Sequence, residues 1–186
     1  MFGLTGRDRR ERTGFALYGA AVAAARAPLF YAQLGVPDTL DGRFDLVCLH
    51  AALLVRRLRH EPPPGPGLAQ AVFDAMFADM DISLRELGVG DMGIPRRVRA
   101  MWEAFHGRAR AYESALDQGD RAALATALAR NVWRGAAPEG AGERLAAIAL
   151  AADATLARTG FGELAAGEFV FPAPATAPGP APGAGR

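Results

Sequence analysis

The sequence predicts an all-α protein, a single compact bundle of about six helices. Apolar residues recur at steps of three and four through most of the chain, and no segment shows the strict alternation of a half-buried strand. Glycine, proline or aspartate separates each periodic stretch from the next. At 186 residues the chain is one domain with short extras, large enough for a real hydrophobic core. We read residues 1–12 as a flexible Arg-rich head, 13–171 as the helical domain and 172–186 as a disordered tail rich in Pro, Ala and Gly.

The first helix carries Tyr18, Val22, Leu29 and Tyr31 and should bend at Pro28. The arginines at 7, 9, 10 and 12 ahead of the apolar run Phe15 to Ala25 resemble a signal peptide. Asp8 and Glu11 dilute that charge, and Arg26 and Pro28 break the run too early for a membrane span, so a first domain helix is expected. Its Arg-rich head is open to two readings, contact with an anionic membrane surface or a solvated, frayed end. Gly35 suits a helix C-cap and Pro37 prevents continuation. Asp41 is the expected cap of a second helix through Phe44, Leu46, Val47, Leu49, Leu53, Leu54 and Leu58, closed by Arg56, Arg57, Arg59 and His60. Pro62 to Gly67 reads as a non-helical connector. The third helix shows Leu68, Val72, Met76, Met80, Leu84 and Leu87, widened by Phe73 and Phe77, and ends at Gly88 and Gly90. Pro95 opens a fourth, with Val98, Met101, Trp102, Phe105, Tyr112 and Leu116 on one side. Asp120 caps a fifth through Leu124, Leu128 and Val132, and a sixth runs from about Glu143 through Leu145, Ile148 and Leu156. Phe161, Phe169 and Phe171 form an irregular closing segment that packs back on the bundle.

Composition excludes several kinds of chemistry. A formal charge of +1 does not suit the wrapping of duplex DNA, so no DNA partner is expected. All the basic residues are arginine, which removes lysine-dependent Schiff-base and P-loop chemistry. The lone Cys48 forms no internal disulfide and reads as a core residue of a reducing compartment. Glu103 and His106 make one E-x-x-H, half of a di-iron set, with no second copy at His50 or His60, so neither a metal nor a cofactor is expected. Asp81 and Arg85 form an ordinary i,i+4 pair, whereas Asp79, Ser83 and Glu86 share a helix face that suits a cationic partner. The basic runs at 56–59 and 96–99 read as solvated helix ends, with RNA or anionic lipid as the functional alternative. Met76, Met80, Met92 and Met101 gather at the corner between the third and fourth helices, as core filler or as an adaptable surface for apolar segments.

The corner also carries a family likeness. Phe73-Asp74-Ala75-Met76-Phe77-Ala78-Asp79-Met80-Asp81 followed by Leu84-Arg85-Glu86-Leu87-Gly88-Val89-Gly90-Asp91 resembles the ubiquinol–cytochrome c reductase chaperone family. The likeness continues through Pro95-Arg96-Arg97-Val98, Met101, Phe105, Gly107-Arg108 and Ala111-Tyr112, and upstream through Tyr31, Leu34 to Thr39 and Gly42-Arg43-Phe44. It implies a non-catalytic assembly factor for the cytochrome bc1 complex, complex III, that binds newly made cytochrome b. It also implies a small co-chaperone or ribosome contact in mitochondrial members. The implied location is the inner face of the cytoplasmic membrane, or the matrix side of the mitochondrial inner membrane in eukaryotic relatives.

The matching residues that are not core-like are Asp79, Asp81, Arg85, Glu86, Asp91, Arg97, Arg108 and Tyr112. We expect them to border a partner-binding groove between the third and fourth helices, with the methionine cluster, Met76 and Met80 among it, at its floor. An ion-pair network that fixes the crossing of these helices is the competing reading. Two other functions stay open: an RNA- or ribosome-binding adaptor that uses the arginine clusters, and a helical enzyme acting on a lipid or quinone.

Overall fold

The computed structural model describes residues 2–174 and is helical throughout, with eight segments in chain order. They are α1 (Phe2–Ala25), α2 (Pro28–Ala32), α3 (Leu40–Arg59), α4 (Gly65–Glu86), α5 (Ile94–Asp117), α6 (Arg121–Val132), α7 (Ala141–Arg158) and α8 (Phe161–Ala166). Six are long, as the periodicity predicts, and α2 and α8 are single short turns. Most of the expected tail lies outside the described residues.

Helix α3 is the hub. Leu46, Leu49, Leu53, Leu54 and Leu58 are at most 1% exposed, because α1, α4, α5, α6 and α7 all pack around it. Helices α1 and α4 lie closest together. A Cβ placed on Gly14 would sit 2.6 Å from the backbone carbonyl carbon of Ala71, so only glycine allows this approach. The closing segment folds back as expected, although its first part, read as irregular, is the short helix α8. Phe169 and Phe171 are buried, and Phe171 meets the His50 ring edge-on at 4.9 Å.

Four local expectations need correction. The head read as flexible is helical from Phe2, held by an Arg7–Glu11 pair at 2.9 Å and by Arg10 lying over Gly67 of α4. Pro28 does not bend a continuous helix; α1 stops at Ala25 and Pro28 opens α2, while the Tyr31 hydroxyl donates to the free Ala25 carbonyl at 3.0 Å. Thr39 rather than Asp41 caps α3, its Oγ1 accepting from the Gly42 amide at 3.2 Å, and Asp41 adds charge to the first turn. The connector at Pro62 is shorter than read, since Pro66 fits the first turn of α4, where no amide proton is needed.

Candidate functional site

A wide concavity, with a volume of about 710 Å³, lies between α1, α2, the start of α3 and the second half of α4. Its bed is apolar, with Val22, Phe44, Val47 and Met80, and its rim is polar, with Arg26, Asp38, Arg43, Asp79 and Ser83. Tyr18 donates to Asp79 Oδ2 at 2.6 Å, tying α1 to α4 across the groove. Burial and that carboxylate both push the Tyr18 phenol well above its usual range, so it stays protonated and donating. Arg43 meets Asp38 at 2.7 Å on the opposite lip. The result is a wide apolar trough edged by fixed charges, a shape that suits an apolar polypeptide segment with a polar flank.

A second groove of about 530 Å³ runs between the end of α3, the start of α4 and α5. Phe73, Phe105 and His106 line it, with half-exposed Trp102 stacked edge-on at 4.1 Å from His106. Glu103 of the E-x-x-H pairs with Arg99 at 3.1 Å, and His106 belongs to this aromatic group. Burial, with Arg110 and Arg59 adding to it, lowers the His106 pKa. Among the described residues no three His, Cys, Asp or Glu side chains gather in a metal-holding group.

The structure divides the residues expected to share one groove into three places. Asp79 and Met80 line the wide trough, on the α1 side of α4 rather than between α4 and α5. Asp81, Arg85 and Asp91 form an exposed chain at the end of α4, with Arg85 at 2.8 Å from Asp81 and 2.6 Å from Asp91. Glu86 and Arg97 are exposed on either side of that corner. Arg108 and Tyr112 are internal. Arg108 meets Asp45 at 2.6 Å, Arg134 meets the same carboxylate at 2.6 Å, and Tyr112 is 1% exposed with its hydroxyl accepting from Asn131. The methionine floor likewise separates: Met76 is fully buried in the core and Met92 is 98% exposed, which leaves Met80 alone in the trough.

Arg108 pairs with an acid, but the helices it ties are α3 and α5, not the third and fourth of the predicted set (α4 and α5) whose crossing the competing reading had it fix. Asp45 has no exposed surface, and burial pushes its carboxyl up to about 6 against the pull of both guanidiniums. Its signal in the sequence is a lone acid inside the apolar run Phe44 to Leu49, on a helix face that can only point inward. The basic run 56–59 is also structural. Arg56 binds Asp117 at 2.7 Å and Asp153 at 2.8 Å, Arg57 donates to the Leu156 and Thr159 carbonyls, and Arg59 meets Glu113 at 2.6 Å. These arginines clamp α3 to α5 and α7, so of the two basic runs the one at 96–99, where Arg99 pairs with Glu103, is the more open to an external anion. Tyr18, Arg26, Tyr31 and Arg43 were missed as site residues, because they lie far in sequence from the α4 residues they face, 61 positions for Tyr18 and Asp79.

Fold and grooves together define a helical protein with a preformed, polar-rimmed apolar surface. Residues 32–171 match the family model described as Ubiquinol-cytochrome C chaperone. Ubiquinol-cytochrome-c reductase complex assembly factor 1 of Xenopus laevis is 26% identical over 103 residues, 55% of this chain and 51% of that protein. That match spans about half the length of the curated relative. The crystal structure of the Cbp3 homolog from Brucella abortus superposes with a TM-score of 0.81 at 38% identity, covering 92% of this chain and 96% of that one. The chain belongs to the ubiquinol–cytochrome c chaperone family.

Proposed function

We propose that this protein is a non-catalytic assembly factor for the cytochrome bc1 complex that works at the membrane, and that it holds newly made cytochrome b in the trough between α1 and α4. The family match over residues 32–171 carries this reading, and the apolar, charge-rimmed trough is a surface that suits such a client. An unfinished membrane subunit exposes apolar helices that associate wrongly in water. A wide apolar bed competes for such a segment, and the rim charges exclude flat, uncharged aggregates. Nothing in that task needs a nucleophile, a general base or a metal.

The test is deletion of the gene and return of variants, with b- and c-type haem in membranes read by difference spectroscopy. Deletion lowers cytochrome b while other oxidases persist, and the wild-type gene restores it. Asp79→Asn weakens the bond to Tyr18 by about 1 kcal/mol and stays folded, yet fails to restore assembly. Normal bc1 after deletion overturns the assembly role. Full restoration by Asp79→Asn overturns the trough as the client site.

A further inference from the structure

We infer that the outer face of α1 is a docking surface for an anionic membrane. Within Gly6–Ala32 the most apolar 18-residue stretch has a mean hydropathy of 1.3, in the range of membrane-crossing helices, yet only 33% of that stretch is buried against the rest of the protein. The inward positions Leu17, Tyr18, Ala21 and Ala25 of α1, with Leu29 and Phe30 of α2, account for that burial. Outward, Arg12, Phe15, Gly19, Ala23 and Arg26 are all exposed and follow one another at steps of three, four, four and three, which places them on a single line along the helix. Phe15 keeps 54% of its surface in solvent at the head of this line.

The charges identify what covers the face. Between Arg12 and Arg26 there is no charged residue, and the two arginines stand about 20 Å apart along the helix. Arg9 extends the basic end beside the exposed Asp8 and Glu11; Arg7 pairs with Glu11 and Arg10 lies over Gly67, which leaves Arg9 and Arg12 without an ion pair among the described residues. An uncharged strip with cations at both ends and a projecting phenyl ring fits a plane of anionic headgroups above an acyl boundary. The strip is too short to cross a hydrocarbon core of about 30 Å, and Gly14 locks α1 onto Ala71, so the helix lies on the bilayer rather than in it. Tyr18, Val22, Ala25 and Arg26 also form one wall of the trough, so docking along α1 sets the mouth of the trough beside the membrane surface. This last step rests on the trough being the client site; the docking itself does not.

The test uses the purified full chain in co-sedimentation with vesicles of phosphatidylcholine alone or with about 30% phosphatidylglycerol, at low and high salt. Binding is expected to the anionic vesicles only and to weaken with salt. Arg9→Gln with Arg12→Gln lowers that affinity by about tenfold or more, and Phe15→Ser by about fivefold. Arg96→Gln with Arg97→Gln, on the exposed α5 end, leaves it unchanged. Equal binding to both vesicles, binding to neither, an equal loss in the α5 variant, or a chain that self-associates through Phe15 instead would overturn the inference. Loss of vesicle binding by the head variant with intact capture of cytochrome b would separate the two surfaces. Vesicle binding that survives while Asp79→Asn assembles bc1 normally would sink only the trough.

Discussion

Gly14 has no room for a methyl group. The position is buried between α1 and α4, and the collision partner is the backbone of Ala71, which cannot rotate away as a side chain would. Gly14→Ala therefore has to pry the two helices apart, at a cost of about 2 kcal/mol, read as a lower urea midpoint with an unchanged m value. Arg108 occupies an equally strict position for a different reason. Its side chain is 13% exposed and neutralises an Asp45 carboxylate with no exposed surface. Arg108→Gln leaves that acid buried with half of its compensation gone and should cost about 3 kcal/mol, whereas Arg134→Gln, at a side chain 53% exposed, costs about 1 kcal/mol or less. Denaturant titration of the two variants distinguishes an internal clasp from a surface pair. If Arg108→Gln kept full stability while losing bc1 assembly, Arg108 would be a contact residue after all.

Among the elements, the closing segment after α8 has the clearest energetic signature, because it covers a titratable group. His50 on α3 sits edge-on between Phe30 at 5.8 Å and Phe171 at 4.9 Å, and its Nδ1 proton is donated to the Leu46 carbonyl at 2.8 Å. Burial lowers its pKa to about 4 from 6.5. Between these values the unfolded chain binds a proton that the folded chain does not, so this residue costs stability as pH falls from about 6.5 towards 4. Asp45 acts in the opposite sense, since its raised pKa makes the folded state the better proton binder between 3.8 and about 6. The two partly cancel in the wild type. The difference in stability between wild type and His50→Gln should therefore shift by about 2 kcal/mol against the wild type between pH 7 and pH 4.5. A constant difference across that range, measured by thermal melts at each pH, would mean that the aromatic cover opens readily. The same contrast explains what the sequence reveals about elements. Six long helices are legible because each buries its own periodic stripe, and caps such as Asp120, accepting from the Ala123 amide at 2.9 Å, are local. The clasp at Asp45 and the trough wall at Tyr18 depend on partners 89 and 61 residues away, which no local pattern encodes. The acidic corner of α4 misleads for the converse reason. Its residues are close in sequence, but the helix turns Asp79 towards α1 and directs Glu86 into solvent.

Across the whole molecule, stability is unevenly distributed, and the uneven part is the corner that carries the most distinctive sequence. From Ile94 to Phe105 no residue between the two is buried, while α3 buries thirteen of its residues and receives charged clamps from α5 and α7. The first half of α5 thus rests on one face with only its ends anchored, and the loop before it is tied chiefly by exposed Arg85. Segments with few buried side chains open without unfolding the rest. Native-state hydrogen exchange should place the amides of residues 87–104 in the least protected helical unit, several kcal/mol below the α3 amides, which exchange only with global unfolding. Opening this unit frees the α5 side of α4, where Phe73 and Phe77 already lie half-exposed against Phe105. A body with a rigid hub, a fixed trough on one side of α4 and a loosely held helix on the other has one wall that can change shape without losing its core. Exchange of residues 87–104 at the rate of the α3 amides would show that the bundle opens only as a whole and that this wall is as fixed as the rest.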